Sequence, residues 1–176
     1  MLSLRPYKSC DAEKISKWAS DENTFIMWGG SRFGAYPVTG EAIDSKYLQS
    51  NGDCMEEDNF YPLTAVEDGI QTGHLIIRYL QGNRKLLRLG WVIVDPEKRG
   101  KGYGKQMVRL ALEYAFTILK ADTVTIGVYE NNEPAFRCYL SCGFRPATIL
   151  EDSFEEIDGQ TVRIAELEMT KEEFLG

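Results

Sequence analysis

The stretch VDPEKRGKGYGKQMV, Val94 to Val108, decides the fold because it leaves a strand and enters a long helix through three glycines. Glycine costs about 1 kcal/mol relative to alanine inside a helix, so Gly100, Gly102 and Gly104 need a physical reason. The first turn of a helix has unpaired N–H groups and a partial positive charge, and these bind phosphate. Because glycine has no Cβ to hold phosphate oxygens away, the stretch predicts a turn that cradles a pyrophosphate.

The charges around the glycines fit the same ligand, whereas the common nucleotide motifs do not. Arg99, Lys101 and Lys105 add positive charge for a pyrophosphate. A P-loop requires Ser or Thr after its lysine, but Gln106 follows Lys105 here. A dinucleotide fold has GxGxxG, where this chain has GxGxG after several strands. A turn that is merely tight is the alternative interpretation of the glycines.

Composition limits the classes of protein to which this chain can belong. With 176 residues, 43% of them hydrophobic, it fits one domain over residues 1–176 with a substantial core. A formal net charge of −7 argues against a nucleic-acid-binding surface. No run approaches the roughly 20 apolar residues of a membrane helix, and the N-terminus lacks the apolar core of a signal peptide. We therefore expect a cytoplasmic protein that binds neither nucleic acid nor membrane.

Cysteine usage indicates reduced thiols rather than a metal site. The cysteines form no CxxC pair, and the chain has a single histidine. They are Cys10, Cys54, Cys138 and Cys142. We therefore expect no bound metal.

The pattern of apolar residues predicts a mixed α/β fold with a partly antiparallel sheet. Predicted helices cover Cys10 to Ala19, a short segment that opens at Thr39, Tyr103 to Leu119, and 133–143. Predicted strands cover 61–68, 69–80, 86–94, 123–129, 144–154 and 161–169. Asp68-Gly69 and Asp158-Gly159 are typical of hairpin turns.

Two blocks of sequence resemble the signatures of one superfamily. RGKGYG, Arg99 to Gly104, matches the pattern Arg/Gln-x-x-Gly-x-Gly/Ala that follows a hydrophobic strand and a proline. A second block, Asn-x-x-Ala-x-x-x-Tyr-x-x-x-Gly-Phe, is formed by Asn132, Ala135, Tyr139, Gly143 and Phe144. On these residues the chain is similar, over its whole length, to the GNAT superfamily of acyl-CoA N-acyltransferases. Its stretches LRPYKSCDAEKISKW and YPVTGEAI resemble the branch that contains enzymes acetylating ribosomal-protein N-termini.

The resemblance implies a GNAT-like fold, a mostly antiparallel central sheet with a splayed parallel pair and about four flanking helices. The splayed strands would be Leu89–Val94 and Thr123–Tyr129, with acetyl-CoA in the gap between them. The backbone of Val92, Ile93 and Val94 would pair with the pantetheine arm. A free N–H there would stabilise the thioester oxygen, which is commonly worth about 3 kcal/mol. The other residues implied to bind the coenzyme are Arg99, Gly100, Lys101, Gly102, Tyr103, Gly104, Lys105 and Asn132.

Tyr139 occupies the general-acid position of the superfamily, which implies that its phenol protonates the thiolate leaving group. A phenol has an ordinary pKa of about 10 and can donate to a developing thiolate. The residues alone also allow Tyr139 to be a core aromatic on the face of Ala135 and Phe136. Asn132 is likewise typical of a helix cap.

No residue stands out as the general base. The superfamily's two familiar glutamate positions fall near Arg88 and Gly127, neither of which accepts a proton. His74, the only histidine, lies on a predicted strand, either as a base that acts through water or as a structural residue. Less specific candidates for the base are Glu67, Glu22 and Tyr61. Alternatively, the acceptor loses its proton directly to water, which requires no dedicated base.

We expect an N-acetyltransferase that moves an acetyl group from acetyl-CoA to a primary amine by direct attack in a ternary complex. The acceptor would be a small-molecule amine or a protein N-terminus, bound by the first helices, the aromatic loop 27–40 and the last strands. Acidic runs at 56–59 and 151–158 either attract a cationic amine or are solvated loops. Two alternatives stay open, an acyl-CoA-binding module without turnover and a nucleotide-binding protein of another fold. The chain is expected to be a monomer or a homodimer.

Overall fold

One sheet of eight strands is the frame of the protein in the computed structural model, which describes residues 1–176. The strands are β1 Leu2–Pro6, β2 Phe60–Glu67, β3 Ile70–Leu80, β4 Asn83–Val94, β5 Thr123–Tyr129, β6 Arg145–Pro146, β7 Ser153–Ile157 and β8 Gln160–Thr170. They lie in the order β1-β2-β3-β4-β5-β8-β6, and β7 also pairs with β8. Every pair is antiparallel except β4 and β5, which are parallel. The predicted mixed α/β class with one parallel pair is therefore confirmed.

Six α-helices flank the sheet. They are α1 Ser9–Trp18, α2 Glu22–Met27, α3 Gly40–Asp44, α4 Tyr103–Glu113, α5 Glu133–Cys142 and α6 Lys171–Leu175. Asp21, Thr39 and Asn132 cap α2, α3 and α5, each accepting the backbone N–H three residues further on. Both α3 and α4 continue into a π-type turn. None of the helices combines the length and the apolar character that crossing a membrane requires.

Alternation along β3 divides the core between the two faces of the sheet. Leu75 and Ile77 are buried in a cluster with α4 and α5. Ile76, between them, is buried in a second cluster with α1 and α3. Because helices cover both faces, a ligand can reach the interior of the sheet only where two strands separate.

The parallel strands β4 and β5 separate halfway along their length. They pair from Leu86, opposite Thr123, to Leu89, opposite Ile126, and no further. Just beyond this point Trp91 has a φ of 43°, and the pairing of β4 with β3 shifts register. Such a bulge bends the strand and increases its local twist. It therefore opens the gap between β4 and β5 in which the resemblance implies that acetyl-CoA binds.

The structure adds β1, α2 and α6, which the sequence analysis did not predict, and it corrects one strand. The strand predicted over 144–154 is wrong, because only its ends, β6 and β7, are extended in the sheet. Between them the Thr148 hydroxyl and the Ile149 N–H donate to the Glu168 carboxylate, at 2.8 and 3.4 Å. A buried carboxylate thus takes the place of a ladder partner in this segment.

Candidate active site

A cleft of about 600 Å³ opens where β4 and β5 separate. It is bounded by the end of β4, the turn that precedes α4, one face of α5, and α2. The lining residues are Asn23, Thr24, Met27, Trp28, Val92, Ile93, Val94, Arg99, Gly100, Gly102, Gly104, Lys105, Asn132, Pro134, Ala135, Cys138, Tyr139 and Ser141. Of the residues predicted to bind the coenzyme or to catalyse, only Lys101 and Tyr103 do not line it.

The main-chain N–H groups from Gly100 to Lys105 have no acceptor within the protein. The first N–H of α4 that donates to the backbone belongs to Gln106, which bonds the carbonyl of Gly102 at 3.1 Å. Open donors at the start of a helix, together with its partial positive charge, suit an anion. The turn therefore fits the diphosphate of a coenzyme.

The glycines give this turn its shape. Gly100 and Gly102 have φ values of 72° and 84°, a region that side chains rarely adopt. A Cβ added to Gly100 would meet nothing within 4 Å, so this part of the backbone faces open space. Gly104 differs, because a Cβ there would lie 3.5 Å from Cys138 Sγ on α5. The first two glycines therefore shape the turn, whereas a Cβ at Gly104 would make only an ordinary van der Waals contact with α5.

Arg99 holds the turn against the rest of the fold. Its Nε donates to the carbonyl of Val94 at 3.0 Å, and its Nη2 donates to the carbonyl of Trp18 at 2.9 Å. Burial lowers the pKa of the guanidinium, with partial compensation from Asp21 and Asp95. Arg99 thus ties the end of β4 to the end of α1 and adds positive charge to the cleft.

The side chains of Lys101 and Tyr103 point away from the cleft. Lys101 Nζ donates to the carbonyl of Glu97 at 2.9 Å, and the Tyr103 hydroxyl donates to Glu67 on β2. Their main-chain N–H groups still belong to the open turn. Any contribution of these two residues to an anion site therefore comes from the backbone.

Main-chain groups at the end of β4 face two directions. The N–H of Asp95 donates to the carbonyl of Thr72 on β3 at 2.9 Å. Because ladder groups alternate sides along a strand, those of Val94 and Val92 turn toward the gap. Those of Ile93 turn toward β3, with which it pairs in register. The edge that the gap exposes is therefore formed by Val92 and Val94.

Tyr139 reaches the cleft from α5. Its ring is 6% exposed and packs edge-on against Phe144, with centroids 6.2 Å apart. Its hydroxyl makes no hydrogen bond within the protein. The hydroxyl oxygen is not fully buried, so it is accessible from the cleft. Burial raises the pKa of the phenol, and the thiols of Cys138 and Cys142 raise it further. The tyrosine is thus both a core aromatic and a protonated, unengaged donor at the cleft.

Helix α2 supplies one wall of the cleft that the sequence analysis missed. Asn23, Thr24, Met27 and Trp28 all line it. The signal was present in Asp21, whose carboxylate accepts the Thr24 N–H at 2.8 Å in the manner of a helix cap.

A second cavity of about 190 Å³ lies beside the cleft, and Met27 and Trp28 line both. Its other lining residues are Gly29, Arg32, Gly52, Asp53, Ile76, Arg78, Arg88, Leu89, Gly90, Trp91, Gly127, Tyr129 and Ile164. It draws on the loop after α2, on the middle of β3 and β4, and on the separated end of β5. Of the parts of the chain expected to bind the acceptor, the loop 27–40 and the last strands contribute, through residues such as Arg32 and Ile164, so we call it the acceptor cavity.

The acceptor cavity contains both positions at which the superfamily carries a catalytic glutamate. A Cβ on Gly127 would clash with the Arg88 guanidinium, so the glycine makes room for that side chain. Arg88 in turn forms a two-bond ion pair with Glu166 of β8, at 2.6 and 2.9 Å. Glu166 pairs in register with Gly127. A carboxylate is thus present at this place, but it comes from the neighbouring strand and is bound to an arginine.

The other suggested bases lie outside both cavities. His74 is fully buried, its Nε2 lies 2.7 Å from the Tyr47 hydroxyl, and burial lowers its pKa to about 3. Glu67 accepts from Tyr103, and neither Glu22 nor Tyr61 lines a cavity. The geometry favours the structural interpretation of His74.

Comparison with known families decides the identity of this fold. A model of the acetyltransferase (GNAT) domain matches residues 1–145. The chain belongs to the GNAT acetyltransferase family. As a GNAT protein it is an acetyl-CoA-dependent N-acetyltransferase, as its sequence predicts.

Relatives of this GNAT chain include enzymes named for polyamines. Spermidine N(1)-acetyltransferase of Escherichia coli strain K12 is 36% identical over 145 residues, which cover 81% of this chain and 72% of that protein. Its counterpart from Vibrio cholerae serotype O1 is 26% identical over 144 residues, covering 81% and 78%.

Solved structures share the fold over its full length. The spermidine N-acetyltransferase of Vibrio cholerae, in complex with CoA and spermine, superposes with a TM-score of 0.80 at 20% identity, covering 99% of this chain and 98% of that one. An aminoglycoside acetyltransferase in complex with coenzyme A superposes at 0.75 with 17% identity, over 99% and 98%. These likenesses establish the GNAT fold, which excludes the nucleotide-binding alternative of another fold.

Proposed function

We propose that this GNAT enzyme transfers an acetyl group from acetyl-CoA to a primary amine by direct attack in a ternary complex, with Tyr139 as the proton donor. The observation that carries the proposal is the row of N–H groups from Gly100 to Lys105. They have no acceptor in the protein and border the cleft that holds Tyr139. Residues 1–176 act as one domain in this proposal, because the sheet draws on strands from Leu2 to Thr170.

The chain's own residues account for binding of the coenzyme. The N–H groups of the turn hold its diphosphate, with Lys105 beside them at the cleft. Main-chain groups of Val92 and Val94 bond the pantetheine arm as an added strand. Acetyl-CoA supplies an acetyl group activated as a thioester. A main-chain donor at the thioester oxygen is commonly worth about 3 kcal/mol in the barrier.

Tyr139 donates a proton to the departing thiolate in this proposal. Because burial raises the pKa of its phenol, the group is protonated at physiological pH, and it gives up this proton as negative charge develops on the sulfur in the transition state. Its hydroxyl is also free of competing hydrogen bonds within the protein.

The acceptor ammonium loses its proton to water. The carboxylates at the acceptor cavity are engaged elsewhere, since Asp53 pairs with Lys46 at 2.7 Å and Glu166 pairs with Arg88. His74 is buried away from both cavities. A small-molecule amine and a protein N-terminus both satisfy this chemistry, and the named polyamine relatives favour a small molecule.

The test is release of free thiol from acetyl-CoA with a panel of amines, together with mass-spectrometric detection of the acetylated product. We expect amine-dependent thiol release with a stoichiometric acetylamine. Tight CoA binding with no thiol release for any amine contradicts the proposal and favours an acyl-CoA-binding module without turnover.

Replacing Gly102 by valine is expected to weaken CoA binding well over tenfold, because the side chain enters the diphosphate site. The control is Gly69→Val in the β2–β3 hairpin, which has a similar φ of 80° against 84° and open space around it. Both variants carry similar backbone strain. Calorimetric titration with CoA therefore distinguishes loss of affinity caused by strain, which both variants share, from loss caused by a side chain in the diphosphate site, which only Gly102→Val has. Equal CoA affinity in the two variants would remove the turn from the coenzyme site.

A further inference from the structure

Arginines dominate the charged lining of the acceptor cavity. Its charged lining residues are Arg32, Asp53, Arg78 and Arg88. Asp53 is neutralised by Lys46, and Arg88 is neutralised by Glu166. Neither Arg32 nor Arg78 forms an ion pair or a hydrogen bond with a carboxylate. Two positive charges at the cavity are therefore left without a counterion in the protein.

Arg78 and Arg88 stand directly opposite each other on the antiparallel strands β3 and β4. Like charges at directly opposed positions destabilise a sheet. Arg78 is also half-buried, and burial together with the cations of Arg88 and Arg32 lowers its pKa. Glu166 neutralises only one member of the pair. The fold thus carries a repulsion at this cavity that a bound anion would relieve.

The rim of the cavity contributes one carboxylate against this charge. The Tyr129 hydroxyl donates to Glu155, so this member of the acidic run 151–158 lies near the rim, but it forms no ion pair with Arg32 or Arg78. Asp152 and Glu130 both pair with Arg163. Asp152 and Glu155, of the run suggested as an attractant for a cationic amine, are therefore engaged with other groups.

We propose that the acceptor is a small amine that also carries an anionic group, a carboxylate or a phosphate, which binds Arg78 and Arg32 while the amine faces the thioester. This inference rests on the proposed function and specifies its substrate class. Planar guanidinium groups bind carboxylate and phosphate in two-bond geometry. The cavity volume of about 190 Å³ is below the roughly 300–1,000 Å³ of drug-sized ligand sites, which suits an acceptor of amino-acid size.

The same charges disfavour a polyamine. A ligand with several ammonium groups would place a second positive charge near Arg78 and Arg32, where the one lining carboxylate, Asp53, already pairs with Lys46. Like-charge contact of this kind is a common way to exclude a wrong partner. This chain therefore differs in acceptor from the relatives that are named for spermidine.

The test compares four acceptors in the thiol-release assay, with the acetylated products identified by mass spectrometry. They are propylamine, 3-aminopropanoate, O-phosphoethanolamine and spermidine, which carry no second charge, a carboxylate, a phosphate and further ammonium groups, respectively. We expect kcat/KM for at least one of the two anionic acceptors to exceed that for propylamine about tenfold or more, with spermidine poorest. The better of the two identifies the kind of anion that the site binds.

Arg78→Gln is expected to remove this preference by lowering the ratio of kcat/KM for the anionic acceptor to kcat/KM for propylamine about tenfold or more, mainly through a higher KM for the anionic acceptor. Arg78→Lys should restore part of it, because it keeps the charge but loses the fork geometry. Arg84→Gln is the matched control, since Arg84 follows β3 closely but lines neither cavity. We expect the CoA affinity of all three variants, measured by calorimetry, to be unchanged. An unchanged CoA affinity also shows that the variants are folded.

The outcomes separate the inference from the function on which it rests. Turnover of spermidine or propylamine equal to that of both anionic acceptors overturns the inference and leaves the acetyltransferase intact. An anion preference that survives Arg78→Gln and Arg32→Gln together also overturns it. Absence of thiol release with every acceptor overturns the proposed function itself.

Discussion

Tyr139→Phe is expected to lower kcat about 10²- to 10⁴-fold, the usual contribution of a positioned general acid. The change removes one hydroxyl that has no partner inside the protein, so the fold loses no hydrogen bond. A proton donor acts mainly in the transition state, and CoA affinity should therefore stay within about twofold. Steady-state kinetics with a competent amine and calorimetry with CoA measure the two quantities.

Tyr103→Phe is the matched control for this experiment. Tyr103 begins the helix that follows the turn, but its hydroxyl is bound to Glu67 on β2, outside the cleft. Its kcat should change little. A Tyr139→Phe enzyme that loses CoA affinity while keeping its kcat would show that the tyrosine lines the cleft but does not act as the proton donor.

Asp11→Ala is expected to lower the free energy of unfolding by about 3–5 kcal/mol, the usual cost of breaking a buried ion pair. The Asp11 carboxylate is fully buried and accepts two bonds from Arg5, both of 2.7 Å. It also accepts from the Thr64 hydroxyl, the Gln71 amide and the Lys8 N–H, at 2.9, 3.0 and 3.0 Å. One carboxylate therefore joins β1, α1, β2 and β3. Urea titration measures the loss, which is a large share of the roughly 5–15 kcal/mol of a typical domain.

Glu13→Ala provides the comparison for Asp11→Ala. Glu13 pairs with Lys17 on the same helix, but both side chains are 71% exposed, so its loss should cost under about 0.5 kcal/mol. Equal effects of the two substitutions would contradict the role given to the Asp11 network.

The stabilisation by Asp11 should also depend on pH. Burial raises the pKa of this carboxyl, but the hydrogen bonds from Arg5, Gln71, Lys8 and Thr64 outweigh it and hold the pKa well below its usual range. Such a group stabilises the native state fully above its unfolded pKa of about 3.9, and this stabilisation is lost as the pH falls through the native pKa. The difference in unfolding free energy between the wild type and Asp11→Ala should be constant from about pH 5 to 8 and narrow below about pH 4. A free-energy difference that grows on acidification would mean that the protonated form of Asp11 is the stabilising one, which would contradict the role given to its hydrogen-bond network.

Much of the fold could be predicted because its signals are local. The glycine turn is read from Gly100 and Gly102, whose left-handed backbone only glycine adopts readily. The strand over 123–129 is rich in β-branched residues, and Asn132 and Gly143 mark the ends of α5 as expected. The separation of β4 and β5 came from the family resemblance rather than from these local signals.

The rest of the site depends on register and direction, which one sequence does not reveal. The opposition of Arg78 and Arg88 depends on a register shift between Tyr79 and Leu80, because the tight turn that sets Leu80 opposite Asn83 would otherwise place Arg78 opposite Lys85. The bulge at Trp91 then shifts the partners further along β4. From the sequence, Arg88 is therefore recognised only as a residue that cannot serve as the general base, and not as part of a cationic cavity.

The directions in which the side chains of the turn point could not be predicted from the sequence either. Lys101 and Tyr103 carry the right chemistry at adjacent positions, yet their side chains bind Glu97 and Glu67 away from the cleft. Their direction is set by how the turn enters α4 and by the distant strand β2. Helix α2 is too short for a clear apolar period, so only its cap at Asp21 marked it.

A crystal structure of this enzyme with coenzyme A tests most directly whether backbone donors at the start of α4 bind the ligand. We predict diphosphate oxygens within hydrogen-bond distance of main-chain N–H groups between Gly100 and Lys105, with the thiol end near Tyr139. A coenzyme whose diphosphate lies elsewhere, with these N–H groups bound only to solvent, would contradict the central claim.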